Sequence, residues 1–284
     1  MKPIDMLMAV AVAALWGMGF VVAKAGMSHF PPIFLMALRF AVAALCLLWF
    51  FRAHWALLPR MFAIALVGAT LQYSLTFTGL AGIDVSTAAL LIQLEVPFGI
   101  LLAWIVLRDR IGLRQASGIA LAFFGIVQIV GAPSLSDSLT HVALVIGGAF
   151  SWAIGQIMVK RLGQVGGFAL TTWMAVMATP QLLIASALLE SGQLAALASA
   201  SLEAWAAVAY LGLGMTVLAY AMWYRLLGLY PLSRVMPFLL LLPLTSLAGG
   251  ILFLDEHLTV PIAIGGVCIL TGVAIINLRL RATD

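Results

Sequence analysis

Glu95 is the one carboxylate that falls well inside an apolar stretch of this chain. A charged carboxylate at mid-bilayer costs at least about 2.5–3.5 kcal/mol. Such a group must face a cavity, meet a partner or carry a proton. Two functional chemistries fit it: relay of a coupling proton, or contact with the ammonium of a bound molecule. A third reading is packing, in which a neutral or hydrogen-bonded carboxyl satisfies backbone groups freed near Pro97. Amides and aromatics inside the apolar stretches are the further candidates: Trp16, Gln72, Tyr73, Gln93, Trp152, Gln156, Tyr220, Trp223 and Tyr224. Tyr220 and Tyr224, four residues apart, share a helix face. Amides and hydroxyls can hold charged end groups while apolar walls take a side chain. Singly, each Trp or Tyr fits an interfacial belt or ordinary packing equally well. As a group with Glu95 they form the candidate substrate-binding set.

Those residues are carried on helices that cross a membrane. The chain has 284 residues, 64% hydrophobic and 8% charged, with a mean hydropathy of +1.18. A soluble domain needs far more charge on its surface. Apolar stretches of roughly 17–25 residues span a bilayer as helices. Ten such spans are predicted, near 6–27, 32–51, 61–80, 85–107, 115–131, 141–160, 169–189, 204–227, 232–254 and 260–278. The runs are continuous and do not alternate, which excludes the period-two pattern of barrel strands. The first span follows Met1-Lys2-Pro3 and resembles a leader, but its later copy within the chain argues against cleavage.

If the ten spans alternate, Lys2, Arg52, Arg60, Arg108, Arg110, Arg114, Lys160, Arg161, Arg225, Arg234, Arg279 and Arg281 share one side. Lys24 and Arg39 fall toward the other, with Asp84, Asp137, Glu190, Glu203, Asp255 and Glu256. The excess of basic residues marks the cytoplasmic side and puts both termini there. The bases are scattered singly, so no nucleic-acid partner is indicated.

The second half repeats the first. Trp16, Gly19 and Lys24 return as Trp152, Gly155 and Lys160; Gly68, Gly82 and Pro97 as Gly214, Gly228 and Pro243; Gly118 and Gly125 as Gly265 and Gly272. Five spans per copy is an odd number, so the copies must lie in the membrane in opposite orientations. The expected fold is an all-α membrane protein of ten transmembrane helices in two inverted five-helix repeats, residues 1–133 and 134–284. Inverted repeats are a common build of secondary transporters, with the substrate near mid-membrane between them.

The segment from Ala88 through Gln93-Leu94-Glu95-Val96-Pro97-Phe98 to Trp104, then Arg108-Asp109-Arg110-Ile111 and Gly118-Ile119-Ala120, resembles an EamA repeat. A second copy runs from Pro243 through Asp255-Glu256-His257-Leu258 to Gly265-Gly266. The EamA family belongs to the drug/metabolite transporter superfamily, and within it the overall likeness is to YddG-type exporters of aromatic and other amino acids. The resemblance implies amino-acid export across an inner membrane by alternating access. Another small metabolite or a drug cation is the alternative substrate class. The family often has Gly-Glu after the fourth helix of each repeat, where this chain has Arg108-Asp109 and Asp255-Glu256.

An embedded enzyme is the remote alternative, because His29, His54, His141 and His257 fall in or near loops without catalytic or metal-binding companions. No phosphate-binding loop is present, so this polypeptide does not hydrolyse ATP itself. No cofactor, metal or obligate protein partner is expected; the partners are a small molecule and the bilayer. Pro97, Pro237 and Pro243 interrupt apolar helices, and the repeat-related Pro97 and Pro243 are candidate hinges. Ala13-x-x-x-Gly17 and Ser151-x-x-x-Gly155 offer close helix approach. Lys24 and Arg39 read as side chains that reach to the headgroups, Asp255-Glu256-His257 as an exposed loop, and Cys46 and Cys268 as core packing. If Glu95 couples transport or meets substrate, Glu95→Gln abolishes flux or alters its pH dependence; a wild-type pH–rate profile in the mutant refutes coupling.

Overall fold

A peptide group in hydrocarbon finds no water, so a spanning segment satisfies its own backbone as a helix. The computed structural model describes residues 1–50, 57–108, 110–132, 135, 138–162, 166–230 and 232–277. Arg52, Asp137, Arg279 and Arg281, used above to assign sidedness, lie outside the described residues, as do Asp109, His54 and the boundary at 133 and 134. The described chain forms α1 (Pro3–Gly26), α2 (Pro32–Leu47), α3 (Leu58–Ala81), α4 (Val85–Leu107), α5 (Leu113–Val130), α6 (Leu139–Leu162), α7 (Gly167–Leu189), α8 (Leu202–Leu229), α9 (Phe238–Leu254) and α10 (Val260–Asn277). Eight of these are long and apolar enough to cross a membrane, and α2 and α9 are shorter apolar helices. A small helix, Gln193–Ser199, lies between α7 and α8.

Two of the helices are interrupted, and proline chemistry explains where. Pro97 has no N–H for the Gln93 carbonyl four residues back, and its ring crowds that carbonyl. α4 accordingly breaks into Val85–Ile92 and Glu95–Leu107. The Gln93 carbonyl instead accepts from the Val96 N–H at 3.2 Å. The predicted span at 232–254 begins as a single turn, Leu232–Val235, followed by a tighter 3-10 segment, Met236–Leu240, ahead of Pro243. Two further departures carry no proline. α3 is wound as π-helix over Leu66–Leu71, and α8 over Tyr210–Leu218. Gly68 and Gly214, paired in the repeat alignment, fall within these two segments.

Charged side chains at the helix ends are used as caps. Glu190 accepts from the Ile33 and Phe34 N–H groups at 2.7 and 2.9 Å, at the positive N-terminus of α2. Glu256 does the same for Val85 and Ser86 at the start of α4. Lys24 donates to the carbonyls of Leu80, Ala81 and Ile83 at 2.8, 2.9 and 3.0 Å, closing the C-terminal end of α3. Two expectations are corrected here. Lys24 reaches backbone carbonyls and not the headgroups, because three orphan acceptors lie within its length. Glu256 is buried while Asp255 and His257 beside it are exposed, because the N-terminus of α4 draws its carboxylate inward. The chain turns there through left-handed backbone at Asp255 (φ 53°), and the copy-related Arg108 does the same (φ 59°). Glycine is the natural residue for that conformation, and neither position has one. Cys46 is exposed on the outside of the bundle rather than packed in the core.

Glycine sets the closest helix contacts. α5 and α10 meet with Gly118 against Gly272 and Gly125 against Gly265, so they run antiparallel. A Cβ at Gly125 would lie 2.5 Å from the Gly265 carbonyl oxygen, and one at Gly265 would lie 2.6 Å from that of Gly125. α3 and α6 touch at Gly68 and Gly155, where a Cβ on Gly155 would lie 2.6 Å from the Gly68 Cα. Ser151 Oγ donates to the Val67 carbonyl in the same contact, at 2.8 Å. Gly17 packs on Thr245 of α9, and Ser246 Oγ donates to the Gly17 carbonyl at 2.9 Å. Gly125→Val is expected to destabilise the protein by about 1–3 kcal/mol, read as a lower Tm in detergent. Gly99→Ala, whose added Cβ meets nothing within 4 Å, serves as the neutral control.

Candidate functional site

The interruptions of α3, α4, α8 and α9 surround one cavity of about 470 Å³, within the size range of small-molecule sites. Every helix except α5 contributes to its wall. All ten candidate residues stand in that wall. Gln72 and Tyr73 follow the π-helical segment of α3, and Tyr220, Trp223 and Tyr224 follow that of α8. Gln93 and Glu95 flank the break in α4. Trp16 comes from α1, and Trp152 and Gln156 come from its copy, α6. Pro97 and Pro243 are buried behind the wall and do not line the cavity.

The aromatic groups form two connected sets. Trp16 lies 5.2 Å from Tyr220 and 5.6 Å from Trp223, centroid to centroid, and Tyr220 lies 5.9 Å from Tyr224. Across the cavity Tyr73 stacks on Phe77 at 5.6 Å and meets Phe40 edge-on at 5.0 Å. The polar tips are tied down. Trp16 Nε1 donates to the Met215 carbonyl at 3.0 Å, and Thr171 Oγ1 lies 3.3 Å from the Tyr224 hydroxyl. The Gln72 amide donates to Thr76 Oγ1 at 3.1 Å, but its Oε1 is buried with no partner among the described residues.

Arg39 corrects the sequence reading. It was expected at the outer end of its span, yet it is the eighth residue of the sixteen in α2, about 10 Å from the helix start. It is 1% exposed and lines the cavity. Its Nε donates to Thr216 Oγ1 at 2.9 Å and its Nη2 to the Tyr73 hydroxyl at 3.3 Å. Its Cζ stands 4.7 Å from the Tyr73 ring centroid and 5.2 Å from that of Phe40. A cation that deep cannot reach the headgroups, so aromatic faces and hydroxyls hold it instead. The signal available in sequence was depth: Arg39 lies two helical turns past the proline pair Pro31-Pro32.

The cavity leads out of the bundle near the C-terminal ends of α6 and α10. Gln156 is exposed, and Val159, Leu170 and Asn277 continue the wall in that direction. α6 runs antiparallel to α3, because Gly79 packs on His141 and Val145 while Gly68 packs on Gly155. The opening therefore lies at the end opposite the Lys24 and Glu256 caps.

The EamA-like transporter family matches this chain twice, over residues 4–131 and 139–278. The chain is 31% identical over 291 residues to the "Probable amino-acid metabolite efflux pump" of Escherichia coli (strain K12), covering 98% of this chain and 96% of that protein. It is 31% identical over 293 residues to the protein of the same description from Salmonella typhimurium, covering 98% and 97%. An uncharacterized transporter of Archaeoglobus fulgidus is 28% identical over 268 residues, covering 92% and 94%. A solved crystal structure, 17% identical, superposes with a TM-score of 0.64 over 97% of this chain and 96% of its own, which shows likeness of fold. Apolar helices around a cavity with a few polar groups in its wall, with two family matches end to end, identify the chain as a multi-pass membrane transporter, not an enzyme, of the EamA-like transporter family.

Proposed function

We propose that this protein is a secondary transporter that exports amino acids with aromatic and other bulky apolar side chains across the inner membrane by alternating access. The observation that carries the proposal is the composition of the cavity wall: Trp16, Tyr220 and Trp223 offer an aromatic bed beside Gln72, Gln93, Glu95 and Arg39. An amino acid presents the matching halves, an apolar side chain and a charged head. The E. coli and Salmonella relatives carry an amino-acid efflux description over nearly their whole lengths, and that description supports the same substrate class. The ten candidate residues are proposed to contact substrate, and Pro97 and Pro243 to act as hinges where α4 and α9 change course.

Ten spanning helices in two inverted repeats, residues 1–133 and 134–284, are the proposed frame, with both termini cytoplasmic. The two family matches support the division. Antiparallel α5 and α10, with glycine pairs that exchange under the repeat, support the inversion. So do the π-helical segments of α3 and α8 and the left-handed residues Arg108 and Asp255. The short helices have enough reach. α2 with the 3-10 turn Leu48–Phe50, and Leu241–Leu254 with the 3-10 segment Met236–Leu240 ahead of it, each extend about 30 Å, the thickness of the hydrocarbon core. With this topology the cavity opens toward the cytoplasm, where an exporter collects its cargo.

Flux of labelled phenylalanine in proteoliposomes tests the reading. Competition by aromatic and bulky apolar amino acids is expected. Competition by sugar phosphates or drug cations alone overturns it.

A further inference from the structure

The cavity wall holds one buried cation and one carboxylate that do not pair. No salt bridge joins Arg39 to an acidic group among the described residues, although its guanidinium is nearly inaccessible. Its printed partners are hydroxyls, aromatic faces and the Met36 sulfur. They occupy three of its five N–H donors, one of them only through a thioether. Glu95 also lines the cavity and has no side-chain hydrogen bond among the described residues. Gln72 Oε1 is a buried acceptor without a donor among the described residues. Arg39 and Glu95 both stand in the wall of this one cavity.

Two opposite charges held apart in an apolar wall are each costly, because neither has a counter-charge. A molecule that carries an ammonium and a carboxylate on the same carbon compensates both at once. An organic anion would compensate Arg39 and repel Glu95; an amine would do the reverse. Resting on the amino-acid reading above, we propose that Arg39 and Glu95 together select zwitterions, Arg39 taking the α-carboxylate through its spare N–H donors and Glu95 the α-ammonium. The aromatic bed around Trp16 then receives the side chain. Arg39 thereby joins the substrate-contacting residues, and discrimination lies in the head group more than in the side chain.

Three ligands with one side chain separate the contributions: phenylalanine, 2-phenylethylamine and 3-phenylpropanoate. Each is titrated against the full-length protein in detergent, with the rise in Tm as readout, and each is used as competitor of phenylalanine flux. Wild type is expected to prefer phenylalanine to both analogues. Arg39→Gln is expected to narrow the preference over the amine by about tenfold or more while keeping the preference over the acid. Glu95→Gln is expected to narrow the preference over the acid and keep that over the amine. Arg39→Lys restores part of the lost discrimination. If Arg39→Gln does not fold, Arg39→Lys and Glu95→Gln still divide the two end groups. Variants that weaken all three ligands equally, or that leave both preferences intact, overturn the assignment while amino-acid transport stands. A wild-type protein that neither binds nor moves any amino acid removes the transport reading itself, and this inference with it.

Discussion

Hydrocarbon offers neither donors nor acceptors, and that constraint decides where this chain bends and where its charges go. The Gln93 carbonyl loses the donor that Pro97 lacks and takes one from Val96 instead. α4 can therefore break at mid-membrane only where the freed backbone faces a cavity or a neighbour, and Gln93 and Glu95 stand at that cavity's edge. The same pressure acts at the helix ends. Lys24, Glu190 and Glu256 close helix termini with two or three backbone contacts each. The charges that frame the bundle are thus components of its backbone bonding.

Close approach of backbones is the second determinant, and it is not symmetric between the halves. Gly155 of α6 lies directly on Gly68 of α3. The copy-related pair is Gly19 of α1 and Gly214 of α8. There the Met215 side chain stands over Gly19, and a Cβ added to Gly19 would meet its sulfur at 2.2 Å. One of these two contacts brings helix backbones together where the other has a flexible thioether between them. Methionine suits such a place because it repacks with little penalty. A duplicated unit built from nearly the same contacts can hold two different spacings at once, which is the physical requirement for a structure open at one end and closed at the other.

Much of this architecture is legible in the residues, and the limits are physical ones. Hydropathy alone locates the helices, because the bilayer imposes length and apolarity directly. The aromatic and amide residues converge on one cavity because each sits on a face that helical periodicity makes visible, as with Tyr220 and Tyr224. Pro97 marks its own break. The π-helical windings of α3 and α8 leave no such mark. Charge sidedness groups Arg39 with Lys24, but sidedness carries no depth, and the two differ in burial and in partners. Glu256 was likewise misread as exposed because its neighbours are; the α4 amides that draw it in are 170 and 171 residues away in sequence.

The guanidinium of Arg39 also constrains how the chain is assembled. At the centre of a helix an arginine costs about 2.5–3.5 kcal/mol on insertion scales, and α2 is short. Tyr73, its first hydroxyl partner, is synthesised 34 residues later, but Thr216 follows only after 177. The buried cation of α2 is thus completed by a hydroxyl of α8, so α2 depends for its internal bonding on a helix far along the chain.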